Sequence, residues 1–316
     1  MIDVILLLIG FVPLIYGADM LVDNSSSLAQ KLNIPAIVIG LTIVAFGTSA
    51  PELVVNVLAS LNRNSELTLG NIIGSNIVNV LVILGVTAII HPLFVKRNTL
   101  RIEIPLSLFS AVILLFMAND QVFISQHSSI ITRSDGVVLL LCFLLFMGYN
   151  VRLTRKGKFL SEVEVKEQSV SKSFLFIVLG LLLLVSGGKL IVMSAEKVAL
   201  MLGISQRIIG LTVVAIGTSL PELATSLIAA RKKSTDIAIG NIIGSNVFNV
   251  FLVLGVSAVI NPLSIDSNAN YDLMFNVFVS SVLLLAVLTN KQNRLYRTAG
   301  ILFVIIYLIY TALLIF

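Results

Sequence analysis

The stretch Gly47-Thr48-Ser49-Ala50-Pro51-Glu52-Leu53 decides the fold, because it returns as Gly217-Thr218-Ser219-Leu220-Pro221-Glu222-Leu223, 170 residues later. Each copy is followed by the same second sentence, Gly-Asn-Ile-Ile-Gly-Ser-Asn, at 70–76 and at 240–246. An acid, a proline, hydroxyls and amides are expensive in hydrocarbon, yet both sets sit inside long apolar runs. Their repetition at matched positions points to a duplicated ion-binding site in a membrane protein.

Working outward, the repeat extends far beyond the motifs. At a constant offset of 170, Gly10 falls on Gly180, Gly17 on Gly187, Ala29 on Ala199 and Pro92 on Pro262. The chain is 57% hydrophobic and 12% charged, which places it in a bilayer rather than in water. Ten apolar runs of about 20 residues read as spanning helices, and barrel strands of about ten alternating residues do not fit. They centre near residues 11, 47, 80, 109, 142, 184, 217, 250, 280 and 306. The reading is an all-α membrane protein of ten transmembrane helices in two inverted five-helix repeats, with helices broken at Pro51 and Pro221. Residues 1–152 form the first repeat, 153–172 a cytoplasmic loop and 173–316 the second repeat. Inversion follows from parity, since a five-span half delivers the next half from the opposite face.

Charge agrees with this layout. With ten spans, 16 of the 21 Lys and Arg fall in connections on one side, which the positive-inside rule makes cytoplasmic. Both termini are then extracellular or periplasmic, and a bacterial or archaeal plasma membrane is expected. The start, Met1-Ile2-Asp3, has no basic n-region and reads as a retained first helix. The net charge of +5 is explained by these loops, so no nucleic-acid partner is implied. Membrane lipids are partners, and the protein is expected to work as a monomer.

The chemistry begins at the prolines. Pro51 and Pro221 lack an amide hydrogen, so the helices should break there and free carbonyls near Ala45–Thr48 and Ala215–Thr218. Thr48 and Glu52 are four apart on one helical face, as are Thr218 and Glu222. Asn71, Ser75 and Asn79 repeat that spacing, matched by Asn241, Ser245 and Asn249. The set is all oxygen, with amides as neutral ligands, which suits hard cations such as Ca²⁺ or Na⁺ and not Zn²⁺ or copper. Glu52 and Glu222 read as the two carboxylates deep in the membrane, with Glu103, Asp236 and the others at or near span ends. Together they give a site of charge near −2, which one Ca²⁺ neutralises and which Na⁺ or protons can take over. Cys142 and His91 and His127 read as structural residues. No resident cofactor is expected. No serine is paired with a buried histidine and no two aspartates face each other, so an enzyme is not indicated.

At these residues the chain resembles the calcium/cation antiporter superfamily, in its sodium/calcium exchanger branch and a bacterial or archaeal inner-membrane group. The resemblance implies that Glu52 and Glu222 coordinate Ca²⁺ at the midplane. It also implies that Thr48, Thr218, Ser49, Ser219, Ser75 and Ser245, with carbonyls at Ala45 and Ala215, complete the Ca²⁺ and Na⁺ sites. The first span of each repeat would slide as a gate. Members of the branch often carry an acid at a position matching Asn79 or Asn249, and here both are Asn. The counter-ion is therefore open between Na⁺ and H⁺, with Ca²⁺/Na⁺ exchange as the main expectation and a passive cation channel as the further alternative. The central loop is too short for inserted regulatory domains.

Overall fold

The computed structural model describes residues 2–119, 129–156, 168–201, 215–265, 267–290 and 292–315. These residues are almost entirely helical. In chain order the helices are α1 (Ile2–Lys31), α2 (Ala36–Thr48), α3 (Ala50–Leu61), α4 (Ser65–Ile90), α5 (Thr99–Ala118), α6 (Arg133–Lys156) and α7 (Val170–Met201). They continue as α8 (Ala215–Thr218), α9 (Leu220–Arg231), α10 (Thr235–Ile260), α11 (Ser267–Leu288) and α12 (Arg297–Ile315). Among the described residues eight helices are long and apolar enough to cross a membrane, and α2 and α3 together are long and apolar enough for one more, with a bend of 47° between them. The protein is thus a multi-pass membrane protein. The span expected near residue 217 falls partly on 202–214, outside the described residues. So do His127, Arg207 and most of the expected central loop.

Burial separates the helices into a core and a periphery. The apolar windows of α4 and α10 are 78% and 83% buried inside the protein, against 11% to 39% for the other six spans. This explains their composition: α4 and α10 carry the polar Gly-Asn-Ile-Ile-Gly-Ser-Asn stretch, whereas α12 and α6 turn Leu, Ile and Val outward. With lipid as apolar as leucine, outward leucines gain little from burial, and close packing falls to small residues. Gly17 and Gly180 show this. A Cβ on Gly17 would lie 2.6 Å from the Gly180 carbonyl oxygen, and one on Gly180 would lie 2.8 Å from that of Gly17. Gly10 meets Gly187 and Ile191, while Gly17 meets Gly180 and Leu184, so α1 and α7 pack antiparallel.

The 170-residue offset is visible in local geometry. Arg63 and Lys233 both adopt positive φ, 57° and 60°. The helices that follow them both contain a π-helical stretch, Asn79–Leu84 and Asn249–Leu254. Just beyond, β1 (Leu93–Phe94) pairs antiparallel with β4 (Arg294–Leu295), and β3 (Leu263–Ser264) pairs with β2 (Ile130–Ile131). Each half thus lends a two-residue strand to the other. One expectation needs refinement. Glu103 does lie near the start of its span, but it is 1% exposed and accepts a hydrogen bond from the Tyr149 hydroxyl.

Candidate functional site

The break in the first motif falls at Ser49, whose φ and ψ of −84° and 6° separate α2 from α3. Pro51 lies in the first turn of α3, where a missing N–H has no intrahelical partner to lose. Ser219 does the same in the second motif, with φ and ψ of −88° and 6° ahead of α9. Within the stretch Ala45–Thr48, the Ala45 carbonyl accepts the Ser49 N–H at 3.0 Å and a longer contact from the Thr48 hydroxyl at 3.4 Å. The helix closes its last turn on that oxygen before the bend. The carbonyl that loses its usual donor is that of Gly47, four residues before Pro51, and its counterpart is Gly217. Ala215 opens the short helix α8.

Both bends deliver a glutamate to the interior. Glu52 and Glu222, in the first turns of α3 and α9, are each 1% exposed. They are brought toward one another by Ser49, which lies three residues before Glu52 and bonds to Glu222. Glu222 Oε1 accepts from Ser49 Oγ at 3.0 Å and from Ser245 Oγ at 3.3 Å, so residues of both halves meet on one oxygen. Thr218 and Ser75 lie beside Glu52, yet neither of its carboxylate oxygens takes a hydrogen bond of proper geometry. Glu222 Oε2, Ser75 Oγ and Ser219 Oγ are likewise buried without a partner.

The asparagines form a second layer that crosses between the halves. Asn79 Nδ2 donates to Asn246 Oδ1 at 2.9 Å, and Asn249 Nδ2 donates to Asn76 Oδ1 at 3.1 Å. Asn76 and Asn246 each donate to the other's backbone carbonyl at 3.4 Å. This leaves Asn79 Oδ1 and Asn249 Oδ1 buried and unpartnered, one helical turn beyond Ser75 and Ser245. Asn71 and Asn241 are engaged instead: their Oδ1 atoms accept from Thr218 at 3.4 Å and Thr48 at 2.9 Å. These two are not free amide ligands.

Spacing alone did not single out Asn76, Asn246, Asn56 and Ser226. Asn76 and Asn246 end the quoted Gly-Asn-Ile-Ile-Gly-Ser-Asn copies, but they point across the seam rather than along the Asn71, Ser75, Asn79 face. Asn56 and Ser226 follow the glutamates by four residues, a signal that was available. The chemistry of the whole set is uniform. Around two carboxylates, the buried side-chain atoms of the candidate ligands left without hydrogen bonds are all oxygens. Buried acceptors in hydrocarbon are costly unless something positive reaches them. Among the described residues no three of His, Cys, Asp and Glu come together, and the unpartnered neutral oxygens of the candidate ligands belong to hydroxyls and amides.

Comparisons with known proteins meet this geometry. A family model described as sodium/calcium exchanger protein matches residues 2–152 and 172–316. The inner membrane protein YrbG of Escherichia coli strain K12 is 37% identical over 291 residues, covering 88% of this chain and 87% of that one. The sodium/calcium exchanger MaX1 of Methanosarcina acetivorans is 31% identical over 347 residues, covering 99% and 98%. A solved structure of the sodium-calcium exchanger NCX_Mj, soaked with 10 mM Na⁺ and no Ca²⁺, matches with a TM-score of 0.82 at 34% identity over 98% of both chains.

Proposed function

The chain belongs to the sodium/calcium exchanger protein family, and from that premise we propose that it is a secondary antiporter exchanging Ca²⁺ for Na⁺ across the plasma membrane by alternating access. The observation that carries this reading is the set of buried oxygens without hydrogen bonds: both of Glu52, one of Glu222, and those of Ser75, Ser219, Asn79 and Asn249. Two carboxylates attract a divalent cation, and the neutral oxygens raise the count toward the six to eight that Ca²⁺ takes. When Ca²⁺ leaves, the same oxygens favour monovalent cations over an empty, doubly charged cavity. Exchange then follows from electrostatics. In this reading Thr48, Thr218, Ser49 and Ser245, and the carbonyls at Ala45 and Ala215, complete the ligand set.

Alternating access is supported by the halves' arrangement. We take them as two inverted five-helix repeats, 1–152 and 173–316, joined by a cytoplasmic loop at 153–172, with ten spans and both termini outside. The antiparallel packing of α1 on α7, the helices that open the two halves, is what inversion requires. Gly10, Gly17, Gly180 and Gly187 let α1 and α7 approach closely enough to act as one unit, which can move against the buried α4 and α10.

One observation keeps a second counter-ion in play. Asn79 and Asn249 are amides engaged with Asn246 and Asn76, so Glu52 and Glu222 are the only acids among the assigned ligands. Protons would serve two carboxylates as well as Na⁺ does. The deciding experiment is radioactive Ca²⁺ uptake into Na⁺-loaded proteoliposomes diluted into Na⁺-free buffer at matched pH, repeated with a pH gradient and no Na⁺. Uptake with the Na⁺ gradient alone establishes the exchange proposed. Uptake with the pH gradient alone replaces Na⁺ by H⁺, and uptake with neither overturns antiport in favour of a channel.

A further inference from the structure

A hydroxyl can help bind a cation only if its hydrogen points elsewhere. At Thr48 the hydrogen has a fixed destination. Thr48 Oγ1 donates to Asn241 Oδ1 at 2.9 Å, shorter than its alternative contact with the Ala45 carbonyl at 3.4 Å. The orientation of the Asn241 amide is set by its other side. Asn241 Nδ2 donates to Ser226 Oγ at 3.1 Å and to the backbone carbonyl of Glu222 at 3.4 Å. A backbone carbonyl can only accept, so the amide NH₂ must face Glu222 and the Oδ1 must face Thr48. Flipping the amide would set two oxygens against each other. All of these groups are buried, with Asn241, Thr48 and Ser226 fully inaccessible, so water cannot relieve a wrong orientation.

We propose that Asn241 is a positioning residue that fixes the polarity of the Thr48 hydroxyl, so that a cation bound beside Glu222 meets oxygen lone pairs and no hydroxyl hydrogen. This rests on the exchange reading above. Thr48 also lies beside the Glu222 carboxylate, which competes with the Ala45 carbonyl for its hydrogen. Without Asn241, that hydrogen turns to Glu222 or to the Ala45 carbonyl and occupies an oxygen the ion needs. Binding must then break the bond first, which lowers affinity without altering the later movement of the loaded site. The relay opposite has the same first members: Thr218 donates to Asn71 Oδ1 at 3.4 Å, and Asn71 Nδ2 donates to Asn56 Oδ1 at 3.2 Å. It ends on an amide, Asn56, whose own Nδ2 has no partner, where the other ends on the Ser226 hydroxyl.

The test uses the full-length protein in proteoliposomes, with Asn241→Leu, Ser226→Ala and Thr48→Val, and the double variant Thr48→Val with Asn241→Leu. The readouts are the KM and Vmax for Ca²⁺ in Na⁺-driven uptake and the ion-free unfolding temperature. Asn241→Leu is expected to raise KM about tenfold with Vmax changed by less than about twofold, the size of one hydrogen bond to a charged site. Ser226→Ala, which removes one anchor of the amide, is expected to raise KM about threefold, and it carries the test if Asn241→Leu does not fold. With Thr48→Val present, Asn241→Leu should raise KM by less than about twofold more, because no hydroxyl remains to orient. Unchanged KM in both Asn241→Leu and Ser226→Ala, or an Asn241→Leu effect as large with Thr48→Val as without it, overturns the proposal. A lowered unfolding temperature with KM unchanged makes Asn241 a packing residue and overturns it too. Wild-type uptake is measured in the same preparation. Its absence removes the exchange reading and this inference with it, whereas wild-type uptake beside unchanged variants removes only the role of Asn241.

Discussion

The two copies of Gly-Thr-Ser-x-Pro-Glu carry the same residues and yet hold their glutamates differently. Glu222 is met by two hydroxyls on one oxygen, Ser49 from the other half and Ser245 from its own. Glu52 has both oxygens without a hydrogen bond, and Ser219, the copy of Ser49, has none either. A site can therefore be symmetric in composition and asymmetric in bonding. One carboxylate is already partly solvated by protein, and the other keeps both oxygens open to whatever enters.

That difference sets the largest expected effect. Glu52→Gln and Glu222→Gln should each lower Na⁺-driven Ca²⁺ uptake by about a hundredfold or more, since each removes a charged ligand worth several kcal/mol in a dry site. Wild-type uptake in either variant would remove that glutamate from the site. Their ion-free stabilities should part company. Glu52→Gln relieves a buried carboxylate with no hydrogen-bonded donor and should raise the ion-free unfolding temperature. Glu222→Gln relieves less, because Ser49 and Ser245 already stabilise that charge. Equal shifts would show that the bonding asymmetry has no energetic weight.

The next effect concerns the seam between α1 and α7. Gly17→Val places a Cβ within 2.6 Å of the Gly180 carbonyl oxygen and 2.8 Å of the Leu184 amide, and backbone cannot step aside as a side chain can. Overpacking of this kind destabilises by roughly 1–3 kcal/mol and loosens the pair that is taken to move as a unit. Unfolding temperature and uptake should both fall. Gly188→Val is the control on the same helix pair, since a Cβ there meets nothing nearer than 3.7 Å. A comparable loss at Gly188 would show that close backbone approach is not what sets the effect at Gly17, since valine is a better helix former than glycine.

How far the sequence carried the reading can be judged from these residues. The membrane class, eight of the spans and the burial of both glutamates were legible because hydrocarbon penalises each polar residue, so the few that persist in a spanning run are drawn to the protein interior. The offset of 170 was legible because duplication preserves order. Which hydroxyl bonds which carboxylate was not, because Ser49 and Glu222 are 173 residues apart and spacing along a helix says nothing of contacts across a seam. Asn71 and Asn241 show the same limit. Their i, i+4 placement with Ser75 and Ser245 suggested ligands, but a partner from the other half had already taken each oxygen. Glu103 was read correctly as near a span end, but its burial depends on Tyr149, 46 residues away on another helix.

A smaller effect separates the two motif serines. Ser49→Ala removes a 3.0 Å hydrogen bond to Glu222, whereas Ser219→Ala removes a hydroxyl with no protein partner. Both lose a ligand to the ion, so both should raise the KM for Ca²⁺ by a few-fold, about one hydrogen bond each. Only Ser49→Ala should also lower the ion-free unfolding temperature, because only there does the empty site lose a bond. A drop with Ser219→Ala of the same size would mean that the two sides are bonded alike in solution.

The least effect lies at one end of the molecule. Lys232 Nζ sits 2.6 Å from both Asp19 and Asp23, which are four residues apart on α1, and so ties the end of α9 to that helix. The positions related by 170 residues are Asn62, Lys189 and Met193, which cannot make this contact. If the halves are inverted, the tie exists on one side of the membrane and has no copy on the other. All three side chains are partly exposed, and exposed pairs are weak and screened by salt. Lys232→Met should therefore change Ca²⁺ uptake by no more than about twofold at low ionic strength, and the difference from wild type should vanish on adding choline chloride, which leaves the Na⁺ gradient intact. A difference that persists in high salt would mean that Lys232 acts through packing of its long stem and not through its charge.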